Sequence, residues 1–176
     1  MVVTVANPQK ESSVSIRQVA RLARCAMTRL RITTVGTLAI IFLDATEIRR
    51  LNKQFLQHDR PTDVLSFRYD GEPTGLPYLP SQQHVNRQAR NRSQRASGQY
   101  VRSAGSRHRQ VVGEIFIAPS QAQAYARMHN LSYQEELNRY VVHGLLHWMG
   151  EEDRTKQQQT RMRRLENRLL KQCQNT

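Results

Sequence analysis

The segment from Ser132 to Met149 constrains this chain more than any other. On a helix, its residues Leu137, Val141, Val142, Leu145, Leu146 and Trp148 cover most of the circumference. Such a helix needs apolar neighbours on nearly every side, so it belongs in the middle of a fold. Gly150 follows it and ends it with C-cap chemistry. The same helix carries His143 and His147, whose i, i+4 spacing puts both imidazoles on one face.

Shorter elements are read around this centre. Residues 1–6 alternate weakly as an edge strand, which Asn7 and Pro8 end. Ser12 or Ser13 caps a helix running to about Leu30. Its Val19, Leu22, Ala23, Ala26 and Leu30 cluster on one side, and Arg17, Arg21, Arg24 and Arg31 form a solvated face opposite. Gly36–Leu43 (GTLAIIFL) is too short and too rich in branched residues for a helix and reads as a buried strand. Asp44 or Thr46 caps a helix through about Leu56. Thr62–Phe67 and Val111–Ala118 are two further strands. Pro119 stops the latter, and Ser120 opens a helix to about His129. A last helix from about Thr155 to Leu170 has Met162, Leu165 and Leu169 as its apolar stripe. A length of 176 residues suits a single domain, 1–176. Residues 71–110 stand apart. They open with Gly and Pro, and 84–109 hold seven arginines and no acid, the composition of a flexible Arg-rich insertion.

Charge narrows the partner. The formal net charge is +13, and the basic excess is almost all arginine, whose planar fork suits phosphate, so a polyanion is the expected partner. The apolar run Leu38–Leu43 is far too short to cross a bilayer, and no membrane partner is expected. The N-terminal stretch lacks the pattern of a secretion signal. Cys25 and Cys173 lie far apart without C-x-x-C spacing, and they read as ordinary helix residues in a reducing compartment, hence a cytoplasmic location.

The chemistry concentrates in HGLLHWMGEED, residues 143–153. Gly150 lets the chain turn sharply after the helix, and Asp153 follows closely enough to swing back as a third ligand. Two imidazoles and a carboxylate fit one Zn2+ per chain with a fourth position open for water. Such a site acidifies that water and polarises a carbonyl or phosphoryl oxygen. A pair of satisfied core histidines is the competing reading. The segment also resembles the H-E-x-x-H of zinc proteases, but Gly144 occupies the place of their glutamate base.

The same segment resembles the H-G-x-L-H-x-x-G-x-D-H signature of the YbeY family of bacterial rRNA-maturation endoribonucleases. QHDRPTDVLSF (57–67) is similar to that family's P-T-[DN]-V-L-S-F block, and GEIFIAP (113–119) to its G-D-I-x-I strand. Met162, Leu165 and Glu166 fall at the spacing of its last helix. The resemblance implies an α+β, zincin-like fold: a small mixed β-sheet packed with helices, the central helix bearing the metal-binding histidines. It implies a zinc-dependent, single-strand-specific endoribonuclease that matures the 3′ end of small-subunit rRNA and serves ribosome quality control. Its partners would be single-stranded rRNA precursor and the ribosome or its small subunit, in the bacterial cytoplasm. The family's metal ligands carry over to His143 and His147.

Two positions depart from the family pattern. Asp153 stands where the family has a third histidine; aspartate can ligate zinc, but its charge leaves the metal less Lewis-acidic. Leu56 stands where the family usually has arginine, a residue suited to holding the scissile phosphate. His58 and Arg60 are close enough in sequence to replace that contact. These departures keep two alternatives open: a zinc-containing RNA- or ribosome-binding module of the same fold with weakened or lost catalysis, and a metallopeptidase.

Overall fold

The computed structural model describes residues 1–69 and 111–173, so the expected Arg-rich insertion at 71–110 lies outside the described residues. Nine elements follow in order: β1 (Val2–Ala6), α1 (Ile16–Arg29), β2 (Thr37–Phe42), α2 (Ala45–Leu56), β3 (Val64–Arg68), β4 (Val111–Ile117), α3 (Pro119–Met128), α4 (Tyr133–Trp148) and α5 (Lys156–Cys173) among the described residues. The architecture is α+β. The strands form a mixed sheet in the order β1-β2-β4-β3, with β1, β2 and β4 parallel and β3 antiparallel to β4.

The apolar run of β2 is explained by burial on both faces. Leu38, Ile40 and Phe42 join a core with α1, α4 and α5, whereas Ala39, Ile41 and Leu43 join a second core with Ile48 and Leu51 of α2. A strand covered on both sides loses the polar alternation of a half-exposed one. The α4 helix lies against β3 and β4 and is flanked by α1, α3 and α5. Its Leu137, Val141, Val142 and Leu145 are completely buried, the central position that its apolar circumference requires.

Local capping corrects some boundaries. The side chain that caps α1 is Ser15, which accepts from Gln18 N–H, rather than Ser12 or Ser13. Asp44 caps α2 through Glu47 N–H, and Ser132 caps α4 through Glu135 N–H. Pro119 does not merely stop β4 but is the first residue of α3, a position where its missing N–H costs nothing. The last helix continues three residues past Leu170, and this extension has a consequence for the cysteines. Cys25 on α1 and Cys173 on α5 are joined in a disulfide, with Cα atoms 5.8 Å apart. The expectation of two separate helix cysteines is thereby overturned: 148 residues of separation say nothing about proximity once α1 and α5 pack side by side. Among the described residues, no helix is long and apolar enough to cross a membrane.

Candidate metal centre

The two histidines face one point because the helix that carries them is pinned at two places. Gly144 is pressed onto the sheet: a Cβ there would lie 2.5 Å from Ile115 Cγ2 and 2.9 Å from Val64 Cγ1. Its carbonyl accepts a 2.9 Å hydrogen bond from the Ser66 hydroxyl of β3. With position 144 turned into the sheet, positions 143 and 147 project from another face of α4. At the helix end, Gly150 adopts φ 99°, Glu151 N–H donates to Leu146 C=O and Gly150 N–H to His147 C=O. This paired 6→1 and 5→2 closure reverses the chain and sends Asp153 back over the histidine face.

The three expected ligands converge. His143 Nε2 and His147 Nε2 are 2.9 Å apart, and each lies 3.8 Å from an oxygen of Asp153. Bonds of about 2.0–2.2 Å in a tetrahedral zinc site imply donor separations of roughly 3.3 Å, so shifts of about half an ångström complete this triangle. The outward ring atoms are also held. His143 Nδ1 is 2.8 Å from Glu166 Oε1, and His147 Nδ1 is 2.8 Å from the Glu151 carbonyl oxygen. A carbonyl can only accept, so His147 donates from Nδ1 and keeps its Nε2 lone pair directed inward. If His143 donates likewise to the carboxylate, two lone pairs face each other at 2.9 Å, an arrangement that a cation between them relieves. The residues present fit a divalent metal.

Electrostatics separates the two rings. Burial alone would lower His143, but the hydrogen bond to Glu166 and the negative charges of Asp63, Glu166 and Asp153 outweigh it and raise its pKa. His147 goes down, first through burial and then through repulsion from His143, against the pull of Asp153. Burial would raise Glu166; its hydrogen bond and charge interaction with His143, with those of Arg139, hold it below the ordinary carboxylate range.

Glu166 and Asp63 are carboxylates whose relation to the site no sequence spacing announces. Glu166 is buried on α5 and receives Arg139 at 3.2 Å and Arg163 at 3.4 Å besides His143. Asp63 enters β3, where its carboxylate accepts from Val64 N–H and the Thr62 hydroxyl. Conversely, His58 and Arg60 are exposed on the turn between α2 and β3. No hydrogen bond or ion pair among the described residues joins either to the three converging ligands. Leu56, the last residue of α2, is also exposed, at 43%.

The outer bond of His143 has a measurable consequence. Glu166→Gln is expected to weaken metal binding at this site by about 10–100-fold, because outer partners fix ring orientation and ligand basicity. Competition against a chromophoric chelator reads this directly, and unchanged affinity would show that Glu166 does not steer His143.

The family model described as "Endoribonuclease YbeY" matches residues 4–174. Two proteins of that name are 29% and 30% identical to this chain. The first, from Elusimicrobium minutum, aligns over 72% of this chain and 67% of its own length. The second, from Salinibacter ruber, aligns over 78% and 71%. The solution structure of TM1509 from Thermotoga maritima superposes with a TM-score of 0.53 at 22% identity, covering 99% of this chain and 93% of that one, a likeness of fold.

Proposed function

The chain belongs to the YbeY endoribonuclease family, and from that premise we propose that it is a zinc-dependent endoribonuclease specific for single-stranded RNA and acting in rRNA processing. In this reading its substrate is the precursor 3′ end of small-subunit rRNA, it serves ribosome quality control, and it works on or beside the small subunit in the cytoplasm. The observation that carries the reading is the convergence of His143, His147 and Asp153 with both outward ring nitrogens already engaged.

His143, His147 and Asp153 would hold one Zn2+, which when bound would supply Lewis acidity toward a phosphodiester. The residues of this chain do the rest. Glu166 and the Glu151 carbonyl orient the two rings, so that the Nε2 atoms stay available. Asp63 and Asp153 add negative charge beside the rings, and that charge favours a cation. Arg60 and His58 are exposed on the turn that leads to Asp63, which supports a contact with a nucleic-acid backbone in this reading. A metallopeptidase is disfavoured because position 144, where such enzymes carry the glutamate base, has no room for a side chain.

The direct test is cleavage of a single-stranded rRNA precursor fragment by the purified protein with and without chelator. Metal-dependent scission supports the proposal; metal and RNA binding without scission favours the non-catalytic module. Leu56 is the observation behind that second reading, since leucine cannot contact a phosphate. Its exposure means that an arginine there would keep its charge in water. Leu56→Arg is therefore expected to raise the single-turnover rate, by up to about 10²–10³-fold if the missing donor limits the reaction, with zinc content unchanged. A fast wild type that Leu56→Arg does not improve would mean that another group, such as Arg60 or His58, makes the contact.

A further inference from the structure

The metal centre leaves most of the basic charge of this protein unused. On α1, Arg17, Arg21 and Arg24 are exposed at i, i+4, i+7 spacing, and the helix contains no acid. On α5, Arg161, Arg164, Arg168 and Lys171 are exposed along one ridge, and the only acid of that helix, Glu166, is buried against His143. Like charges at these spacings repel, so both ridges work against the helices that carry them. Among the described residues, no carboxylate forms an ion pair with Arg17, Arg21, Arg24, Arg164, Arg168 or Lys171.

One residue of the ridges, Arg161, touches the surroundings of the site. The α5 helix begins three residues after Asp153, and Arg161 on its early turns holds Glu151, whose carbonyl receives His147. Its eighteen residues span about 27 Å. Its far end meets α1 at the Cys25–Cys173 disulfide, with Arg21 and Arg29 one turn to either side of Cys25. The rest of the ridge, Arg164, Arg168 and Lys171, lies by helical position on the side of α5 turned away from Glu166 and Cys173.

We propose that these two solvent-facing ridges bind the sugar–phosphate backbone of a long single-stranded RNA outside the metal centre. This rests on the RNA substrate proposed above. Arginine-rich ridges meet a phosphate backbone through charge without reading sequence, which suits the positioning of a long substrate. An anionic membrane is the poorer occupant. A helix that lies on lipid must offer an apolar face to it, and the apolar faces of α1 and α5 are spent in the protein core.

The test uses the full-length protein and the variant Arg21→Gln/Arg24→Gln/Arg164→Gln/Arg168→Gln, whose exposed positions leave the core intact. Binding of a fluorescent single-stranded RNA of about 25 nucleotides is followed from 50 to 300 mM salt, with thermal melts as the folding control. Four lost phosphate contacts should flatten the log K against log salt slope by about 3 units. The cleavage rate of an oligonucleotide only long enough to fill the metal centre should stay the same. An unchanged slope and affinity would overturn the proposal, as would intact RNA binding with lost binding to phosphatidylglycerol vesicles. A flattened slope in a protein that cuts no RNA, with or without metal, would leave the face standing and remove the nuclease reading instead.

Discussion

His147→Ala is expected to empty the metal centre and stop metal-dependent RNA cleavage. Among the described residues the ring is one of three groups that could hold a metal, and its Nε2 lies 2.9 Å from that of His143, so its removal leaves two donors where a stable site needs three. The loss in zinc affinity should exceed the roughly 10–100-fold expected for an outer partner such as Glu166. The fold should survive, because the His147 side chain is 28% exposed and leaves no sealed cavity. Metal analysis of wild type and variant, paired with the cleavage assay, checks both parts. The wild type should carry about one zinc per chain, and Asp153→Asn should retain more metal than His147→Ala because the partly exposed carboxylate sits at the rim. Equal zinc in wild type and His147→Ala would remove the site.

Gly144→Ala is expected to cost substantial stability through a single added methyl group. Its Cβ would press on Ile115 and Val64 at distances that real side chains essentially never show, and both neighbours stand on the sheet. Overpacking of this kind costs about 1–3 kcal/mol. In a domain of this size each kcal/mol lowers Tm by about 2–4 °C. The strain should also move α4 off β3, lengthen the Ser66–Gly144 hydrogen bond and loosen the histidine pair, so zinc affinity should fall together with stability. Urea unfolding with metal present and absent separates the two effects. A variant with an unchanged midpoint would show that the helix–sheet contact has slack.

Gly144 thus has a second meaning. In sequence it reads as the gap where a protease would hold its base; in three dimensions it is the point at which the metal helix touches the sheet.

What the chain reveals without a structure is whatever depends on nearest neighbours and periodicity. The buried character of α4 follows from its own apolar circumference, and β2 from a short branched run. Asp44 acts as a cap because the groups it satisfies lie three residues away. His143 and His147 share a face by helical geometry alone, and Gly150 marks the turn that returns Asp153. The block motifs at 57–67, 113–119 and 143–153 identify the family, and through it the mixed sheet. Packing alone decided the rest. Ser15 prevails over Ser12 and Ser13 as the cap, while the backbones of those two are tied to Gln9 and Tyr133. The pairing of Cys25 with Cys173, the grip of Glu166 on His143 and the charge of Asp63 beside both rings join residues 23 to 148 positions apart. No local pattern encodes such contacts, because they exist only once α1 and α5 have been laid against α4 and the residue just before β3 has been brought beside the rings.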